Sequence, residues 1–354
     1  VPTDKTPAGK RDDISLREKE KEIQKDLDDG IDTIGKKMTV CELYAKQNRH
    51  RGNVRHNTTK GRERLMKLLE ADKLGSCPID SVKLSDAKEW ALRMKEKGIS
   101  YKTISNDKRS LKAAFYTAIQ DDCIRKNPFD FQLNTVIEDD TEPKVPLTAE
   151  QEESLLSFME SDSVYQKYRD EVIILLGTGL RISELCGLTD TDLDFESRVI
   201  NVDHQLLRSA ETGYYIEKPK TQSGIRQIPM SEKVYEALGR VLENRKGAKA
   251  TTIDGYSNFL FLNRDGCPKT ATSYDNMFRG LAKKYNKCHE EALPKVMTPH
   301  TLRHTFCTNL ANAGMNPKAL QYIMGHSNIT MTLNYYAHAT FASARAEMER
   351  LIAA

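Results

Sequence analysis

The sequence predicts a mainly α-helical protein with a small antiparallel β-sheet: a helical domain followed by a mixed α+β domain. Three observations predict it. From Thr39 to about Pro128 apolar residues recur at helical spacing. Three short runs, Val199–Val202, Tyr214–Glu217 and Ile225–Ile228, are strand-like and joined by polar, glycine-containing turns. Between them, Glu138 to Pro146 has no apolar periodicity and two prolines, the mark of an interdomain linker.

A chain of 354 residues can hold two cores. The boundaries expected are a charged connector at 1–35, a helical domain at 36–138, a linker at 139–146 and a second domain at 147–354. Ser15-Leu16-Arg17-Glu18 reads as a capping box opening a charged helix that Gly30 stops. In the helical domain one stripe is Leu65, Leu68 and Leu69, and a second is Ala87, Trp90, Ala91 and Met94. A third is Leu111, Phe115, Ala118 and Ile119. Turns at Gly75-Ser76-Cys77-Pro78, Gly98 and Asn127-Pro128 separate about four helices. Thr148 caps the first helix of the second domain, and a buried helix at Val172–Leu176 breaks at Gly177-Thr178-Gly179. A new helix begins near Arg181, and after Tyr235 the pattern is again mostly helical.

Composition narrows the function. No apolar run approaches the roughly 20 residues that span a bilayer. Seven scattered cysteines without a CxxC pair point to a reducing, cytoplasmic compartment and to neither a zinc knuckle nor a disulfide framework. The net charge of +3 is uneven: residues 33–130 hold 22 basic groups against 12 acidic ones. The excess peaks at Arg49, Arg51, Arg55, Lys60, Arg62, Arg64 and Lys67, with Glu63 the acid among them. Apart from Glu63, four before Lys67, no acid at i+4 offsets these charges, so contact with nucleic acid is the better reading than a salt-bridged surface helix.

The chemistry lies in the last fifty-odd residues: His300-Thr301-Leu302-Arg303, Gly325-His326 and Tyr335-Tyr336-Ala337-His338. A tyrosine hydroxyl, with a reference pKa of about 10, attacks a phosphodiester when cationic donors hold the phosphate. Thr298-Pro299 starts a helix with His300 and Arg303 on one face and Leu302, Phe306 and Leu310 toward the core. His300 and His304 lack the intervening glutamate of a metalloprotease helix, so no metal is expected. Each piece alone is weak: a surface pair, a capping histidine, a core tyrosine.

Joined to Gly177-Thr178-Gly179-Leu180-Arg181-Ile182-Ser183-Glu184-Leu185 and to the lysine of Pro219-Lys220-Thr221, the set resembles the tyrosine recombinase family of phage and mobile-element integrases. The resemblance covers roughly residues 36–354 and is nearest to integrases of conjugative transposons. It implies a core-binding and a catalytic domain forming a clamp around DNA. It implies that Arg181 and Arg303 hold the scissile phosphate, His300 assists proton transfer, His326 hydrogen-bonds the phosphate and Lys220 protonates the leaving 5′ oxygen, with Lys218 as its rival. Glu184 would orient the site. Tyr336, two before His338, would be the nucleophile, with Tyr335 the alternative.

The resemblance implies integration and excision through a 3′-phosphotyrosine and a Holliday junction, with no cofactor. The partners implied are double-stranded recombination sites and further copies of the chain, dimer to tetramer. An accessory DNA-bending or excision factor would complete the set. The tail's stripe of Phe341, Ala344, Met348, Leu351 and Ile352 would dock on a neighbouring protomer or on its own domain. Integrases of this kind add an amino-terminal arm-binding domain. The chain, starting at Val1, is expected to lack it, with residues 1–30 leading from it. A type IB topoisomerase, a chromosome-dimer resolvase and a catalytically idle DNA-binding regulator are the competing readings.

Overall fold

The computed structural model describes residues 15–21, 23–25, 35–52, 55–142, 145–219, 221–245, 251–294, 296–336, 345, 348–349 and 352. They divide into two compact units, Val1–Glu142 and Pro143–Ala354.

In the first unit, residues 15–21 and 23–25 are helical and exposed. Ser15 is already inside that helix and so does not cap it as expected, while the stop expected at Gly30 lies outside the described residues. Four helices follow, as the periodicity predicts: α1 (Val40–His50), α2 (His56–Glu70), α3 (Leu84–Glu96) and α4 (Tyr101–Gln120). Thr39 caps α1 reciprocally, its hydroxyl accepting from the Glu42 amide while the Glu42 carboxylate accepts from the Thr39 amide at 2.7 Å. The apolar stripes meet as one core in which Trp90 packs edge-on to Phe129, ring centroids 5.8 Å apart. Gly75 lets the chain pass the end of α2, because a Cβ there would lie 2.1 Å from the Leu69 carbonyl oxygen.

The second unit opens with α5 (Ala149–Ser161), capped by Thr148. The Leu147 amide donates to the Thr305 hydroxyl at 2.9 Å, tying this entry strand of chain to a helix far along the sequence. Next come α6 (Arg169–Thr178) and α7 (Ile182–Gly187). Then follow β1 (Leu193–Asp194), β2 (Val199–Val202), β3 (Gln205–Ser209), β4 (Gly213–Glu217) and β5 (Arg226–Pro229). The helices α8 (Glu232–Asn244), α9 (Ala271–Cys288), α10 (Pro299–Asn312), α11 (Pro317–Met324) and α12 (Ile329–Leu333) complete it. The core surrounds α6, whose Val172, Ile174 and Leu175 pack with Leu180, Leu185, Val234, Phe278 and Leu302.

The expected single sheet is in fact two: an antiparallel β1-β2-β5 sheet and a separate β3-β4 hairpin. The break lies at His204. Its buried ring sets Nδ1 2.6 Å from the Asp203 carboxylate and Nε2 2.7 Å from the Gly187 carbonyl, pinning the chain to the end of α7. The backbone therefore leaves the first sheet after Val202. Asp192, Asp203 and His204 bring ligand-type atoms within 4.8 Å of one another, with both imidazole nitrogens committed to these hydrogen bonds. The helical reading after Tyr235 also fails between α8 and α9, where residues 251–270 are irregular and held by the bridges Thr189↔Phe259 and Leu262↔Pro268. Among the described residues no helix is long and apolar enough to cross a membrane.

Candidate active site

Three arginines converge where α7, α10, α11 and β5 meet. Gly179 ends α6 in the left-handed conformation, φ +61°, and frees its carbonyl. Arg303, on α10 and almost wholly buried, donates to that carbonyl and to the Met324 carbonyl at the end of α11, each at 2.5 Å. Arg181 precedes α7 and donates to the Gly325 carbonyl at 2.9 Å and to Glu184 at 2.7 Å. Its side chain keeps 38% of its exposure, so it is the more accessible of the two.

Glu184 gathers four donors. Its carboxylate accepts from the Arg181 amide and Nη1, and from both terminal nitrogens of Arg226 at 3.0 and 2.8 Å. Burial alone would raise its pKa, but the Arg226 hydrogen bonds and the charges of Arg226, Arg181 and Arg303 pull it down to about 2. Arg226 also donates from Nε to the Ile323 carbonyl at 2.6 Å. This third arginine is missing from the sequence reading. The available signal was an arginine on the inward face of the strand Ile225–Ile228, where its alternate partner Ile228 is core.

His326 follows Gly325, the left-handed cap of α11. It is buried, and its Nδ1 lies 2.9 Å from the Thr332 hydroxyl. Burial first, then the charges of Arg303, Arg181, Arg226 and His300, depress its pKa to about 4, so the ring is neutral at pH 7. His300 is exposed on the first turn of α10 and near enough to act on His326. Burial and the neighbouring Arg181 draw Arg303 down to about 9, which leaves it charged at neutral pH.

The tyrosines lie just past α12 rather than on it. The helix α12 stops at Leu333, and Asn334–Tyr336 form a 3-10 turn. Tyr336 donates from its hydroxyl to the Met315 carbonyl at 2.5 Å, and burial raises its pKa. Tyr335 lies against the His304 ring, centroids 4.9 Å apart, and is the tyrosine on which the Arg303 charge acts. Lys220 lies outside the described residues, and Lys218 is exposed just past β4. Arg181, Glu184, Arg303 and His326 are thus brought together, with His300 beside them.

In the first unit, Lys60, Arg64 and Lys67 share the exposed face of α2, Arg49 and Arg51 are exposed at the end of α1, and Arg55 and Arg62 are half-buried. The expectation of uncompensated charge is corrected at Arg64. Its guanidinium pairs at 2.5 Å with Asp107 on α4, a buried acid 43 positions away that no i+4 rule could find. Of the tail stripe, Met348 and Ile352 are exposed, while Phe341, Ala344 and Leu351 lie outside the described residues.

Comparison with known proteins places this geometry. Residues 146–343 match the phage integrase family, and residues 1–27 match the DNA-binding domain of the Tn916 integrase, so the charged leader is similar to such a domain. The transposase of transposon Tn916 from Enterococcus faecalis is 67% identical over 351 residues, 99% of this chain and 86% of that protein. The tyrosine recombinase XerC of Bacillus pumilus is 30% identical over 270 residues, 75% of this chain and 80% of that one. The Tn1549 transposon integrase, solved in complex with a circular intermediate DNA, superposes with a TM-score of 0.85 at 78% identity. That match covers 89% of this chain and 99% of the other. The chain belongs to the phage integrase family of tyrosine-type site-specific recombinases, in its conjugative-transposon branch.

Proposed function

We propose that the cluster of Arg181, Arg303, His300 and His326 holds a DNA phosphate while Tyr336 attacks it. The observation that carries this reading is the pair of guanidinium groups that donate to the successive carbonyls of Met324 and Gly325, beside a neutral imidazole. Arginine suits the task because its planar fork donates two parallel hydrogen bonds to phosphate oxygens. The Tyr336 oxygen bonds to phosphorus and the bond to the 5′ oxygen breaks. Lys220, in the turn between β4 and β5, gives the departing oxygen its proton. A 5′-hydroxyl from a second duplex then displaces the tyrosine, and two such exchanges pass through a Holliday junction. His300 moves protons to and from the tyrosine.

The Tyr336 hydroxyl is engaged with the Met315 carbonyl, so attack requires the Asn334–Tyr336 turn to reseat. Duplex DNA is the substrate: Lys60 and Lys67 on the exposed face of α2, with Arg49, Arg51, Arg55 and Arg62, grip its backbone, and Arg64 divides its charge between DNA and Asp107. Residues 1–35 connect to, and share in, an arm-binding function, which the match to the Tn916 DNA-binding domain supports. The chain acts as a dimer to tetramer on recombination sites, its tail exchanged between protomers, with an accessory bending or excision factor setting direction.

The test is covalent trapping. A nicked duplex carrying the circular-intermediate joint used with the Tn1549 integrase should yield an SDS-resistant adduct in EDTA. Relaxation of a plasmid lacking that joint, at the rate of one carrying it, would favour a topoisomerase.

A further inference from the structure

Thr332 is wholly buried in the middle of α12, and its hydroxyl lies 2.9 Å from Nδ1 of His326. A threonine hydroxyl inside a helix commonly bonds the carbonyl one turn back. Here it reaches across to the residue that follows the α11 cap. Among the described residues the imidazole makes no other side-chain hydrogen bond, so Nε2 is the ring atom left for a ligand.

A neutral imidazole carries one N–H, and a hydroxyl can donate or accept. When the Thr332 hydroxyl donates to Nδ1, the ring proton sits on Nε2, the form that can donate to a phosphate. The opposite tautomer leaves only a lone pair on Nε2 and cannot donate to a phosphate there. A buried Nδ1 acceptor without a partner adds a cost to the donating form. The hydroxyl removes that cost.

We propose that Thr332 is a positioning residue that holds Nδ1 of His326 as an acceptor so that Nε2 donates to the scissile phosphate. Thr332 stands four residues before Tyr336, on the segment that carries the nucleophile. The phosphate donor is therefore set while that segment is seated against the site, which couples grip on the phosphate to delivery of the tyrosine. This rests on the reading of His326 as a phosphate ligand.

The full chain and the nicked circular-intermediate duplex test it. Thr332→Val keeps the shape and removes the hydroxyl; Thr332→Ser restores it. Thr332→Val should bind duplex within about twofold of the unaltered chain yet form adduct about ten- to a hundredfold more slowly. Thr332→Ser should recover most of that rate. In a His326→Gln background, where the amide donor has no tautomer to select, Thr332→Val should slow the reaction no further. Imidazole 15N shifts in the DNA complex should place the His326 proton on Nε2 in the unaltered chain. A proton on Nδ1 there overturns the proposal even if the valine variant fails to fold. So does a Thr332→Val variant at full speed, or one slowed equally in both backgrounds. A His326→Ala variant that cleaves at the normal rate removes the phosphate role itself, a different failure that the same assay recognises.

Discussion

Arg226 and Glu184 meet in a two-pronged ion pair, 3.0 and 2.8 Å, on a side chain with no exposure at all, and that pair holds the carboxylate that aligns Arg181. The same arginine reaches the Ile323 carbonyl, so β5, α7 and α11 are registered by one side chain. Removing it strands a buried carboxylate. Arg226→Met should cost about 3–5 kcal/mol of stability, read as a lower urea midpoint. Arg226→Lys keeps the charge but not the fork. It should fold, bind duplex and still form adduct at least about tenfold more slowly.

The acid response of the DNA-free protein follows from two depressed groups. His326 sits at about 4 against 6.5 in an unfolded chain, so between those values the unfolded chain holds a proton that the folded one does not. Stability therefore falls as pH drops from 6.5 to 4, by about 1–3 kcal/mol. Glu184, at about 2 against 4.5, extends the loss below pH 4.5. Urea midpoints from pH 7.5 to 4 should show the first phase, and His326→Gln should lack it.

Tyr336→Phe should abolish the SDS-resistant adduct. Loss of one hydrogen bond to Met315 should change stability by only about 0.5–1.5 kcal/mol. Tyr335→Phe should retain the adduct. If the two results were exchanged, the proximity of Tyr335 to Arg303 would mark it as the nucleophile instead.

Arg62 and Arg64, two apart on α2, should behave differently. Arg64→Ala leaves Asp107 buried without its cation and should lower stability by about 1–3 kcal/mol, an effect that adding Asp107→Asn reverses. Lys67→Ala and Arg62→Ala should leave stability nearly unchanged. Each should weaken duplex binding and reduce its salt dependence by about one ion, measured by titration across salt concentrations.

Gly179→Ala tests the turn beneath Arg303. A Cβ at φ +61° would lie 2.3 Å from the Phe306 ring, and displacing Gly179 moves the carbonyl that Arg303 grips. Stability should drop by more than about 2 kcal/mol and adduct formation should fall with it, as thermal unfolding and trapping would record together.

The sequence by itself determined the four helices of the first unit, because Trp90, Met94, Phe115 and their neighbours recur with the helix's own period. It also determined the cap at Thr148, the stop at Gly179 and the residue types of the site, since these depend on neighbours within a turn or two. Only the tertiary structure decided the rest. Arg226 became the hub of the site, Arg64 found Asp107, Thr332 found His326, and the Tyr336 hydroxyl settled on Met315. His204 split one expected sheet into two by binding the end of α7. Each of these is a hydrogen bond between residues distant in sequence or on different elements. No periodicity records such a bond, because the partner is chosen by how the elements pack rather than by what stands nearby in the chain.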